Sequence, residues 1–306
     1  MVRFIIRRIL QIIPVLLAVI ILVFGMLYLI PGDPARLVVG IEASQETIEI
    51  AREELGLNKP IYQQFLIFIG GLLKGDLGTS IQTGTPVTEE LAKRFPITMT
   101  IAFGATLFAA VFGILGGILA AIKQNKFIDN FIMVNSLLAV SIPSYFLGLL
   151  LLIVFSLNLG WFPIYGVGTP MHYVLPIVTL GAQSMGLIAR MTRSSMLDVI
   201  RQDYIRTAKA KGLPGRVITY LHALKNALIP VVTVIGLRFG GLLAGTVLAE
   251  VVFSIPGIGR YMVDAILERD YPIVQGTILV VAISFVVINI LVDITYKVID
   301  PRIRYE

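Results

Sequence analysis

Long apolar runs separated by short polar ones set the frame of this chain. Six stretches carry almost no charge, roughly 9–30, 97–122, 131–157, 173–190, 228–249 and 273–297. Each is near the ~20 residues that an α-helix needs to cross the hydrocarbon core of a bilayer. Inside lipid a backbone satisfies its own N–H and C=O groups only as a helix or a closed barrel, and runs this long without period-two alternation predict helices. The pattern predicts an all-α polytopic membrane protein with six transmembrane helices, in a single domain over 1–306. The first run, MVRFIIRRILQIIPVLL, is basic and then apolar like a secretory leader, but it continues to Ile30 without a small-residue cleavage site. We read it as a retained first span.

The polar intervals then orient the spans. With the N-terminus inside, the inner intervals collect sixteen Lys and Arg residues and the outer ones eight, and most of those eight sit in one long loop. The excess of inner basic residues predicts both termini on the cytoplasmic side. Trp161 and Tyr165 fall where aromatic anchors sit, at the outer interface. The outer loop 31–96 has helical content of its own. PGDP after the first span predicts a turn. Ser44 is placed to cap a helix running to Leu55 with Gly56 as its stop, and Pro60 to open a second helix with Ile61, Phe65, Phe68 and Leu72 on one face. GDLGTS at 75–80 reads as loop. The loop is either a cap over the outer ends of the spans or a landing surface for an external partner.

Composition narrows the function by exclusion. The chain is 57% hydrophobic and 14% charged, and it has no cysteine, hence no disulfide and no thiolate metal site. Its net charge of +6 gathers at the ends of spans, which is topology and not a nucleic-acid footprint. There is no G-x-x-x-x-G-K-[ST] phosphate loop, no H-E-x-x-H and no G-x-S-x-G elbow. The two histidines, His172 and His222, fall on opposite sides of the membrane, so no metal site and no catalytic set is expected.

Two places remain. In the fifth span, Gly236 with Gly240 and Gly241 with Gly245 form two G-x-x-x-G pairs, the spacing that lets helix backbones approach closely; Gly113 and Gly117 repeat it in the second span. Arg238 lies about eleven residues into the fifth span, where a charge must face protein, water or a carboxylate. It is either a structural ion pair in the bundle or a lining residue of a polar pathway. Gln183, Ser184 and Glu250 are further candidates for a pathway or bundle-interior role.

The second place is the loop 191–227. Between Arg190 and Pro230 it carries eight basic residues against Asp198 and Asp203. Asp203–Lys211 predicts a short helix ended by Gly212, Pro214-Gly215 a turn, and Arg216 towards Asn226 a second short helix. A basic amphipathic helix lying on lipid would show Trp, Phe or Leu along one face, and this one shows almost none. Tyr204, Ala208 and Lys211 share a face, which predicts a protein partner instead.

These residues resemble a known family. YIRTAKAKGL…HALKNALIPVV is similar to the cytoplasmic coupling loop of ATP-binding-cassette (ABC) importer permeases, although Arg206-Thr207-Ala208 stands where that loop usually carries Glu-Ala-Ala. IPGDPAR, GDLGTS, RFPITM, LGWFP, LPIVTLG, VVFSIPGIGR, RDYP and the tail DPRIRYE extend the resemblance over nearly the whole chain. It points to permeases of the dipeptide, oligopeptide and nickel group, most closely its glutathione-importer branch. The resemblance implies the type I ABC importer permease fold and a bacterial inner-membrane location. It implies a second homologous permease, two cytoplasmic ATPases that hold the cofactors ATP and Mg, and an external substrate-binding protein. Tyr204, Ile205, Arg206, Thr207, Ala208, Lys209, Lys211 and Gly212 would form the ATPase-coupling element. The rivals are a secondary transporter or channel, which usually shows two matched broken helices, and an intramembrane enzyme, which needs converging catalytic groups. The sequence shows neither.

Overall fold

The computed structural model is built of helices, with two long non-helical connections at 74–86 and 159–170. It describes residues 2–29, 34–39, 43–54 and 56–299. The only β pairing among them is an isolated antiparallel bridge between Thr79 and Pro86. Four helices are long and apolar enough to cross a membrane: Val87–Ile122, Met171–Ile200, Gly215–Val252 and Tyr271–Ile294. A bent pair, Phe127–Ser141 with Ser144–Asn158, makes a fifth only if the two count as one span, and the first helix contains the shorter apolar stretch Leu10–Met26. The expected PGDP turn rests on residues 31–33, which lie outside the described residues, as do Leu55 and the tail 300–306.

The chain divides into two units, Met1–Ile97 with Pro256–Val287 and Thr98–Ile255 with Ile288–Glu306. The first holds α1 (Val2–Leu29), α2 (Pro34–Val39), α3 (Gln45–Glu54) and α4 (Ile61–Leu73). The helix expected after Ser44 is α3: Ser44 Oγ accepts from the Thr47 N–H at 3.2 Å, relieving one of the donors every helix start leaves open. The helix expected after Pro60 is α4, and its aromatic face is used. Phe24 of α1 lies 5.2 Å from the Phe65 ring and 5.8 Å from Phe68, centroid to centroid. Tyr28 donates to Gln64 Oε1 at 2.8 Å, while Ile61 stays exposed. The short helices α2 and α12 (Ile258–Glu268) were not expected. Asp270, fully buried between α12 and α13 (Tyr271–Ile299), accepts from Ser80 Oγ at 2.5 Å and from the Gln82 N–H at 3.1 Å. GDLGTS is therefore a fixed loop.

The second unit is built on α8 (Met171–Ile200), which buries residues along its length from Leu175 to Met196. Small residues bring α5 (Val87–Ile122) against it. A Cβ at Gly113 would stand 2.9 Å from the Met185 carbonyl oxygen, and one at Gly117 2.6 Å from that of Ala189, so only hydrogen fits. On another side Gly186 admits the Ser136 carbonyl of α6 (Phe127–Ser141), 2.5 Å from where its Cβ would be. The close approach expected at Gly113 and Gly117 is present.

Two expectations need correction here. The apolar run 131–157 is not one helix. α6 and α7 (Ser144–Leu151, continued by a π-helical turn Leu152–Asn158) meet at 107°. Pro143 lacks an N–H and forces the residue before it out of helical geometry, and Ile142 is extended at φ −81, ψ 125. The second short helix expected from Arg216 to Asn226 is not separate either. Gly215–Val217 (α10) runs through a π-helical turn, Ile218–Ala223, into α11 (Leu224–Val252).

Candidate functional site

The basic loop folds as a helix with one face inward. α8 ends at Arg201, Gln202 is extended, and α9 spans Asp203–Ala210. Asp203 in its first turn and Lys209 in its last complement the helix dipole. Gly212 ends it as expected, in the left-handed region at φ +76, with its N–H on the Lys209 carbonyl at 2.9 Å. Ile205 is fully buried and Ala208 nearly so. They pack with Ala121 of α5, Met196 of α8, Ile218, Ala223 and Ala227.

The shared face expected of Tyr204, Ala208 and Lys211 is therefore corrected, and Ile205 and Ala208 are not open to a partner. An apolar pair at i and i+3 on a short helix held at both ends buries against its own chain. Arg206, Thr207, Lys209 and Lys211 are exposed. The Arg206–Asp203 pair, 3.4 Å apart, lies wholly at the surface. Tyr204 is half-exposed, and its hydroxyl accepts from Asn226 Nδ2 at 2.8 Å, tying α9 to the first turn of α11.

A second tie in this unit has no counterpart in the sequence reading. Arg193 of α8 forks Asp129 of α6, Nε to Oδ1 at 2.6 Å and Nη2 to Oδ2 at 2.7 Å, and the Asn125 N–H adds a bond of 2.8 Å. Asp129 is buried while Arg193 keeps partial access to solvent. Both lie beyond the ends of the apolar runs 131–157 and 173–190. The Arg193 hydrogen bonds hold the Asp129 carboxyl below the usual carboxylate range against its burial, and Asn125 assists.

The membrane-depth candidates separate into two sets. Arg238, Gln183 and Ser184 line one cavity of about 470 Å³ between α7, α8 and α11, together with Ser144, Gly241 and Gly245. Gln183 Nε2 donates to the Ile142 carbonyl at 2.8 Å, satisfying the acceptor that the Pro143 bend exposes. Glu250 is not a lining residue: it is fully buried and accepts from Thr98 Oγ1 at 2.6 Å. The glycine expectation in α11 is corrected in part. Gly241 has nothing within 4 Å of an added Cβ and Gly245 only an ordinary contact with Leu180, so these two border the cavity. Gly240 is buried and Gly236 half-buried.

Among the described residues no group of His, Asp and Glu is placed to hold a metal ion. Residues 113–305 match the family described as binding-protein-dependent transport system inner membrane component, and residues 1–102 match its N-terminal companion. The chain is 44% identical to the glutathione transport system permease protein GsiC of Escherichia coli strain K12, over all of both chains. It is 45% identical to the protein of that name from Pectobacterium atrosepticum, again over all of both. Among solved structures it is similar to a chain of the MetNI methionine ABC transporter in inward-facing conformations, with TM-score 0.58 and 18% identity. That match covers 69% of this chain and 96% of the other. An amino acid ABC transporter with histidines matches at TM-score 0.53 and 14% identity, covering 71% and 95%. The solved structures share the fold, the relatives share the sequence from end to end, and the chain belongs to the binding-protein-dependent inner-membrane components, as a permease subunit of an ABC importer.

Proposed function

We propose that this permease forms half of a translocation pathway for glutathione or a related di- or oligopeptide, and that α9 is the element through which cytoplasmic ATPases drive it. The substrate reading is supported by the full-length relatives, whose names assign them to glutathione transport. The chain pairs with a second, homologous permease, receives its solute from an external binding protein, and leaves ATP and Mg to two ATPase subunits. It crosses the bacterial inner membrane six times, with α6 and α7 as one broken crossing and both termini in the cytoplasm. Residues 191–227 then lie on the ATPase side.

One observation carries the coupling reading. α9 is fastened inward by Ile205 and Ala208 and presents Arg206, Thr207, Lys209 and Lys211 outward, where they contact little of their own chain. A short helix alone in water is marginal. Fastened on one face, it is a rigid knob shaped to enter a cleft.

The test is co-purification from native membranes. Arg206→Ala, Lys209→Ala and Lys211→Ala are combined, and Tyr204 is left intact because its hydroxyl serves the chain's own packing. The variant is expected to keep the second permease and lose the ATPases, with ATP-driven uptake falling at least about tenfold. ATPases retained at wild-type levels would refute the coupling role of α9.

A further inference from the structure

Arg238 stands at the midpoint of α11, fourteen residues from Leu224 and fourteen from Val252. At ~1.5 Å per residue that is about 21 Å from either end. A guanidinium is always charged, and one held at that depth needs an anion or water. Among the described residues no ion pair or hydrogen bond engages it. The cavity it borders contains no second charge. Of the other polar lining groups, Gln183 gives one amide hydrogen to Ile142, and its Oε1 and the hydroxyls of Ser144 and Ser184 line the same cavity as the guanidinium. Gly241 and Gly245 follow Arg238 on the same side of α11, three and seven residues on, and the space over Gly241 is open.

We propose that Arg238 is a carboxylate-binding residue of the translocation pathway. A carboxylate of the solute docks on its guanidinium within the α7–α8–α11 cavity during passage. This inference rests on the permease reading and adds the chemical class of the cargo at this point, a small peptide-like solute with at least one free carboxylate. A lone positive charge in a largely apolar wall attracts an anion and repels a cation. The planar fork of Arg matches a carboxylate with two parallel hydrogen bonds. The glycines beside it leave room for the rest of the solute. A single fork without a closed cage binds weakly enough to release, as a pathway requires.

The test uses the whole transporter in native membrane vesicles. Phenylglyoxal, which modifies accessible guanidinium groups, is applied, and modification at Arg238 is read by peptide mass spectrometry with Arg260 as the control. Arg238 is expected to react, and millimolar S-methylglutathione, which has no free thiol to consume phenylglyoxal, to slow that reaction about fivefold or more relative to Arg260, whereas its diethyl ester leaves the ratio unchanged. A ratio indifferent to S-methylglutathione overturns the proposal. So does an Arg238 that reacts only after the second permease is stripped away, because a carboxylate of that subunit then occupies the guanidinium.

Arg238→Lys and Arg238→Gln supply the second measurement. Glutathione uptake is expected to fall at least about tenfold in the Gln variant and less in the Lys variant. ATPase activity stimulated by loaded binding protein should fall less than uptake in both, so that uptake per ATP hydrolysed drops. Equal loss of uptake and ATPase activity in both would make Arg238 an assembly residue and sink the idea. Protection of Arg238 in wild-type vesicles that show no ATP-driven uptake would refute the importer reading and leave the anion site standing.

Discussion

Ile205 has no exposed surface, yet it sits in the most polar stretch of the chain. Truncating a buried aliphatic side chain of this size costs ~2–5 kcal/mol. Ile205→Ala is therefore expected to lower the melting temperature of the solubilised transporter, whereas Lys209→Ala, on the exposed face, should leave it unchanged. The Asp129–Arg193 fork gives an asymmetric prediction. Arg193→Ala strands a buried carboxylate, while Asp129→Ala strands a guanidinium that still reaches water, so the first should be the more destabilising in thermal unfolding. Asp129 has a depressed pKa in the folded state. The stability it contributes is present at neutral pH and fades as the pH drops through the carboxylate range, below about 4. Asp129→Asn should remove that acid sensitivity. In the sequence Arg193 is only one more basic residue of a basic polar loop. Its partner lies 64 positions away, and local spacing carries no trace of a contact that three-dimensional packing creates. Ile205 was legible as part of a helix but not as its inward face, because a helix of two turns offers one apolar pair and no repeat.

At the scale of elements, the same glycine spacing has opposite consequences in two helices. Gly117→Val would drive a side chain into the Ala189 carbonyl and part α5 from α8. Gly241→Ala meets nothing. The first variant is expected to fail to accumulate in the membrane, and the second to accumulate and assemble normally, both read by immunoblot and co-purification. The spacing announces where backbones are able to approach; which face meets a neighbour is decided by packing. Pro143 marks the bend in the sequence, but the apolar run continues through it and hides the break. Gln183, a candidate for a pathway or bundle-interior role, lines the cavity while its amide satisfies the carbonyl at the bend. Gln183→Leu is thus expected to destabilise the α6–α7 junction by leaving the Ile142 oxygen unpaired, at about 1–3 kcal/mol.

For the whole molecule, the succession of long apolar runs was enough to specify a helical membrane protein, since lipid leaves the backbone few alternatives. The division into two units was not legible, because two of its three boundaries cut through α5 and α13, each a continuous helix. Orientation is open to direct test. Alkaline phosphatase fused after Gly84 should be active and fused after Asn125 inactive, since only the first would lie outside the cytoplasm. The inward face of α9 has a mechanical meaning. Ile205 and Ala208 share one buried cluster with residues of the last turn of α5, of α8 and of the start of α11, and Tyr204 pins the same helix to Asn226. If the ATPases push on the outer face of α9 as proposed, the load would pass through this cluster to three shafts together. Thinning that bearing introduces backlash: the motor would turn over at its usual rate while the gate travelled short of its full stroke.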